Sequence, residues 1–231
     1  MILLSEPKIS EESDCPYIKG ERWRFSYFFA RDLSGEDLEY LLIRGWRKFG
    51  YYYFRPQCRS CSKCIPLRLR ADKLKISKSQ RRVLRNGEGI RVEFNELKCR
   101  DEIFELYRIH SAERFRREAD YEDFLNSFYV QSCPSMQSEY YVENKLIGVG
   151  YLDISSQGLS SVYFIYNTEY MKYRPGTLSI IKEAQYAESI GLSYYYLGYY
   201  IEENKSMSYK NNFDLNEKLN WETGVWETPE N

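Results

Sequence analysis

The sequence predicts an α+β protein. A smaller N-terminal α+β part carries a cysteine-rich basic loop, and the C-terminal part is a sheet packed on one long helix. Three observations predict it. First, strand-length apolar runs (Tyr140–Val142, Lys145–Asp153, Ser160–Tyr166 and Tyr194–Leu197) surround a single helical pattern that opens at Gly176. Second, the chain changes character near residue 98, where amphipathic helical periodicity begins; the expected division is 1–98 and 99–231. Third, charge is segregated. Residues 44–91 hold 15 Lys or Arg against two acids, Asp72 and Glu88, a local charge of +13 in a chain of net −1, so the remainder carries −14.

The elements follow in order. Residues 1–14 read as an edge segment, and Cys15-Pro16-Tyr17 with Gly20 as a turn. Glu21–Ala30 is aromatic and weakly alternating, so it reads as a strand. Ser34 is an N-cap with Asp37 three residues on, a capping-box pattern, and Leu38, Leu41 and Leu42 continue it at helical spacing. Gly50 breaks the chain before a strand, Tyr51–Phe54, that feeds the cysteine loop. Ile65–Arg70 alternates apolar and basic residues, predicting a strand with one charged face. Ser77–Leu84 is a short basic helix closed near Asn86-Gly87, and 90–95 is a strand. Ile103, Leu106, Ile109 and Phe115 mark one amphipathic helix, and Tyr121–Val130 a second. A hairpin turns at Glu143-Asn144. The long helix stops at Gly191, and Tyr194–Leu197 is the last strand expected.

Composition bounds the function. At 43 % hydrophobic the chain can build a core. No run approaches the ~20 apolar residues that span a bilayer. The start, MILLSEPKISEESDC, lacks the pattern of a secretory leader, so a cytoplasmic protein with reduced thiols is expected. Cys58, Cys61 and Cys64 have the spacing of iron–sulfur ligands, with Cys15 as a fourth; an iron–sulfur cluster, zinc, or a packed metal-free loop all fit that spacing. The basic stretch also holds six aromatics between Trp46 and Phe54. Positive charge beside stacking surface suits a nucleic-acid backbone and its unpaired bases. Lys75, Lys78, Arg81, Arg82 and Arg85 are therefore expected to meet RNA phosphates, the plain alternative being a solvated basic face. His110 is the only histidine and is assigned no role; no Ser-His-Asp constellation is visible.

The C-terminal order of hairpin, strand, helix and strand resembles the second half of the GNAT acyltransferase fold. Arg174-Pro175-Gly176-Thr177 carries one glycine where the GNAT pyrophosphate loop has two, which speaks against a CoA-dependent acetyltransferase. A wider set of pieces resembles the bacterial arginyl-tRNA–protein transferase family, whose bacterial members are mostly aspartate/glutamate leucyltransferases. These are Cys15-Pro16-Tyr17, Arg44-Gly45-Trp46-Arg47-Lys48-Phe49-Gly50, Tyr53-Phe54-Arg55-Pro56-Gln57-Cys58, Pro66-Leu67-Arg68, Ser77 through Arg82, Ser160-Ser161-Val162-Tyr163, Gly176-Thr177-Leu178-Ser179, Tyr196 through Ile201, and Lys205 through Lys210. They run in family order along nearly the whole chain. Tyr200, Asn167-Thr168 and Phe115 depart from the pattern; Phe115 stands where many members have a histidine, which argues against an essential base there.

The resemblance implies aminolysis of an ester. The α-amine of a protein beginning with Asp or Glu attacks the aminoacyl ester of a charged tRNA, an amide forms and uncharged tRNA leaves. No cofactor is required for that chemistry. Leucine is the favoured amino acid, and the product N-terminus marks the acceptor for degradation through the N-degron pathway. The site residues this implies are Asp153 to orient the amine, Lys210 for the oxyanion or the tRNA 3′ end, and Tyr163 beside them. Tyr17, Tyr199 and Tyr209 are expected to hold the terminal adenosine or the acceptor backbone. Arg55, Arg68 and Arg174 are the expected partners of the acceptor's carboxylate. The rivals are arginyl transfer by the same mechanism and a non-catalytic, zinc-ribbon-like RNA-binding module.

Overall fold

A computed structural model describes residues 1–228. The elements are β1 (Ile2–Leu3), β2 (Lys8–Ile9), β3 (Ser13–Asp14), β4 (Arg22–Trp23), β5 (Phe25–Arg31), α1 (Gly35–Leu42), β6 (Arg47–Phe49), β7 (Tyr52–Pro56), β8 (Ile65–Arg70), α2 (Lys78–Asn86), β9 (Ile90–Glu96), α3 (Asp101–Phe115), α4 (Tyr121–Phe128), β10 (Ser135–Val142), β11 (Lys145–Ile154), β12 (Gly158–Tyr166), α5 (Pro175–Ser189), β13 (Tyr194–Tyr200), β14 (Asn216–Leu219) and β15 (Trp226–Glu227).

Local signals formed the elements they predicted. The Ser34 hydroxyl accepts from the Asp37 amide while the Asp37 carboxylate accepts from the Ser34 amide, a complete capping box. Ser77 and Gln80 do the same at the start of α2, a second box that sequence reading passed over. The β10–β11 hairpin turns at Glu143, whose φ of 54° is left-handed. As expected, hairpin, strand, helix and parallel strand follow one another through β10, β11, β12, α5 and β13.

Eight strands form one sheet in the order β15-β14-β8-β13-β12-β11-β10-β9. Helix α5 packs Ile180, Ile181, Ala184 and Ala187 against one face, and α3 and α4 pack Ile103, Leu106, Phe124 and Phe128 against another part of it. The smaller sheet, β1-β5-β7-β6 with β2 on β5, sandwiches α1 against Tyr196 of the large one.

Two expectations change, and one gains a partner. β8 and β9, both before residue 98, lie in the large sheet, so the sheets do not divide where the composition does. β8 is the expected strand with one charged face, but it sits between β13 and β14, where Arg68 and Arg70 both turn to Glu217. Nor is β13 the last strand, because β14 and β15 extend the sheet beyond β8.

Candidate active site

β12 and β13 are parallel neighbours that pair only at Gly158–Tyr194, Leu159–Tyr195 and Ser160–Tyr196. Beyond Ser160 and Tyr196 no ladder joins them, although β12 runs on to Tyr166 and β13 to Tyr200. The strands splay, leaving a cleft inside the sheet. Backbone groups turned into such a cleft need other partners.

The chain supplies them with two cations. From β6, Arg47 Nη1 donates to Ser160 Oγ at 3.0 Å and Nη2 donates to the Ser161 carbonyl. From the 3-10 turn Ser208–Asn212, Lys210 Nζ donates to the carbonyls of Leu197 at 2.8 Å and Tyr199 at 3.1 Å. Burial pushes the Lys210 ammonium down to about 7, and the nearby Arg47 charge pushes the same way. Tyr209 precedes Lys210, and its hydroxyl lies 3.3 Å from where a Cβ on Gly176 would sit, so a glycine here lets the tyrosine close onto the first turn of α5. Burial raises the Tyr209 phenol to about 12.

Under the cleft Arg47, Lys48, Asp153 and Ser160 border a small recess whose other walls are apolar, Leu38, Leu42 and Val162 among them. Lys48 and Asp153 are paired at 3.1 Å and both are buried. Asp153 Oδ1 also accepts from Ser135 at 2.8 Å. The sequence proposed Asp153 as a free amine-orienting carboxylate; in the fold it is the counter-ion of Lys48. Sequence reading did not single out Arg47, which enters the cleft from 113 residues away.

On the far side of Tyr199 is a second recess, lined by Cys15, Tyr17, Trp23, Phe54 and Tyr199 together with Cys58, Cys61 and Cys64. Its one charged lining residue, Arg22, is held outward by Asp14 at 2.5 Å and the Glu12 carbonyl at 2.9 Å. No acid lines it. Tyr199 anchors its wall by donating to the Gly45 carbonyl at 2.8 Å. The four expected ligand cysteines therefore face one space, and burial with neighbouring thiols raises Cys64 to about 12. Yet all four are free thiols, and among the described residues no three ligating side chains gather closely enough to hold a metal ion. As placed, they line a recess and do not form a metal cage.

The remaining expected residues divide. Tyr163 on β12 stacks on Phe128 with centroids 5.4 Å apart, inside the packing of α4. Arg68 is spent: it donates to Glu217 at 2.8 and 2.7 Å and to the Tyr196 hydroxyl at 3.1 Å, and lies 3.7 Å from the Tyr194 ring centroid. Its charge is already neutralised by Glu217, so it is not an open counter-ion for a substrate carboxylate. Arg55 lies 5.1 Å over the Trp46 ring. Arg174 is exposed at the N-terminus of α5, in a left-handed conformation with φ 53°. Lys75, Lys78, Arg81, Arg82 and Arg85 are all exposed on or before α2. His110 is buried, with Nδ1 3.0 Å from the Tyr166 carbonyl, which is a packing role.

Among the described residues no helix is long and apolar enough to cross a membrane. Among solved structures the chain is similar to FemX, with a TM-score of 0.46 and 11 % identity over 70 % of this chain and 59 % of that one. Among characterised sequences it is 32 % identical over 216 residues to the aspartate/glutamate leucyltransferase of Campylobacter jejuni subsp. jejuni serotype O:6, covering 90 % of each chain. It is also 32 % identical over 228 residues to the aspartate/glutamate leucyltransferase of Helicobacter hepaticus, covering 95 % of this chain and 94 % of that one. Residues 13–82 match the family model of the arginine-tRNA-protein transferase N terminus, and 102–220 that of its C terminus. The chain belongs to the arginine-tRNA-protein transferase family, and it is an aminoacyl-tRNA–protein transferase.

Proposed function

We propose that the protein moves leucine from leucyl-tRNA to the α-amine of proteins that begin with Asp or Glu. The observation that carries this reading is the pairing of two recesses across Tyr199, one apolar and free of acids, the other lined by cations. A leucyl side chain in the first recess meets aromatic rings and thiols, an apolar transfer. An arginyl side chain there would bury a guanidinium with no carboxylate to receive it, near Arg22, at a cost of several kcal/mol. This disfavours arginyl transfer. A pure binding module has no use for a split sheet with a lysine held near neutrality inside it.

In the reaction the amine nitrogen bonds the ester carbonyl carbon, the bond to the ribose oxygen breaks, and one proton passes from the amine to that oxygen. A peptide α-amine has a pKa of about 8, so much of it is already neutral near physiological pH. Lys210, lowered to about 7, accepts that proton in its neutral form and returns it to the leaving oxygen. The exposed cations of α2, with Lys75, take the tRNA phosphates. Tyr17 and Tyr199 border the apolar recess where the 3′ end arrives. Nothing in the reaction calls for metal, and the cysteines serve as recess walls. Charged tRNA places the activity in the cytoplasm, and a new N-terminal leucine commits the acceptor to degradation.

The test supplies tRNA carrying radiolabelled leucine or arginine together with peptides beginning Asp, Glu or Ala. Leucine entering the Asp and Glu peptides, but not the Ala peptide, is the expected outcome. Arginine transfer alone, or tRNA binding without transfer, contradicts it.

A further inference from the structure

We infer that Arg47 reads the acceptor: inside the cleft between β12 and β13, its guanidinium binds the side-chain carboxylate of the N-terminal Asp or Glu. The inference rests on the reading above and adds the site that gives it its specificity.

Arg47 is half-buried, and its two hydrogen bonds go to neutral oxygens, Ser160 Oγ and the Ser161 carbonyl. A guanidinium has five N–H donors, so further donors are open for a ligand. Among the described residues no carboxylate stands within ion-pair distance of it. The nearest acid, Asp153, is neutralised by Lys48 at 3.1 Å. Arg47 thus gives the empty cleft a positive charge that no acid among the described residues neutralises. A charge kept from water without a counter-ion is costly. It is retained where a ligand brings the counter-charge. The planar fork fits a carboxylate bidentately, which neither an amide nor a methyl group can match.

Access is built in. Gly198 lies against the guanidinium, and a Cβ there would sit 3.6 Å from Nε and Nη2. With φ at +79° the position favours glycine, which leaves that face of the fork uncovered. The other arginines are placed for different work: Arg68 is neutralised by Glu217, Arg55 covers Trp46, and Arg174 is out in solvent. The tRNA phosphates have the open α2 surface, whereas a short carboxylate side chain fits a cleft inside the sheet.

The test measures leucyl transfer to peptides that differ only at the first residue, Asp against Asn and Glu against Gln, for wild type, Arg47→Gln and Arg47→Lys. Loss of a charge-assisted hydrogen-bonded pair corresponds to about 10- to 100-fold. Arg47→Gln should lose about that much kcat/KM on Asp and Glu peptides, mostly through KM, with little change on Asn and Gln peptides. The acid-to-amide preference then collapses. Arg47→Lys keeps the charge and loses the fork, so it should restore part of the preference. If Arg47→Gln does not accumulate as folded protein, Arg47→Lys carries the test alone, and a preference equal to wild type overturns the inference. Equal losses on acid and amide peptides in Arg47→Gln also overturn it. Either result leaves wild-type leucyl transfer, and so the functional reading, standing. Absence of transfer by the wild type fails both.

Discussion

Two arginines meet β13 within two residues of each other, and the chain treats them oppositely. Arg68 reaches Tyr196 and is enclosed by Glu217 and by the rings of Tyr194 and Trp226. Arg47 lies against Gly198 and holds only a hydroxyl and a carbonyl. One charge is neutralised within the fold and the other awaits a partner. The contrast separates a structural cation from a binding one more clearly than burial does, since both heads are withdrawn from solvent. The two recesses follow the same division: charge is concentrated in the cleft, and among the described residues the cysteine-lined cavity has only Arg22, paired with Asp14.

The sharpest way to break the comparison is to remove each arginine in turn and read stability. Arg68→Met leaves the Glu217 carboxylate with only the more distant Arg70, at 4.0 Å, and breaking such a pair costs up to about 3–5 kcal/mol. Urea unfolding should show that loss. Arg47→Gln should cost much less, because two lost hydrogen bonds are offset by relief of an unneutralised charge. Equal destabilisation would mean that Arg47 is as structural as Arg68.

An effect of similar size in free energy, read in rate instead of stability, is expected at Lys210. Lys210→Ala should lower kcat by about 100- to 10,000-fold if the amine moves the proton. The sign with pH follows from its lowered pKa: below about 7 the group is protonated and cannot accept, and above about 7 it can. The wild-type kcat/KM should therefore rise through pH 7 and again near ~8, where the acceptor amine itself deprotonates. Lys210→Ala should keep only the upper rise. A variant that keeps both limbs would assign the lower one elsewhere.

The sequence was legible where the determinants are local. Ser34 with Asp37, the turn at Glu143-Asn144 and the stop at Gly191 each act within a few residues, and each element formed where those signals put it. The exposed cations of α2 were legible for the same reason, since a basic helix advertises its face. What was not legible is held by distant pairs. Arg68 and Glu217 are 149 residues apart, and Arg47 and Ser160 are 113 apart. A repeat of two or of 3.6 says nothing about a partner at that range. The charged face of β8 and the carboxylate of Asp153 were legible, but not the partners that the fold brings to them, Glu217 and Lys48. The splay of β12 from β13 likewise depends on where a ladder ends, which no single strand encodes.

The central claim is that the two substrates use separate recesses, the acceptor's carboxylate the cationic cleft and the leucyl group the apolar cavity. The most direct measurement is site-by-site alkylation of the free thiols, read by mass spectrometry, with a stable 3′-leucylamido-adenosine present or absent. Cys15, Cys58, Cys61 and Cys64 line the cavity, and Cys99, half-buried and not among its lining residues, is the internal reference. Protection of the four cavity thiols but not of Cys99, with no protection by the arginyl analogue, is the predicted result. Unchanged alkylation at all four, under conditions where leucyl transfer is inhibited by the same compound, would contradict it.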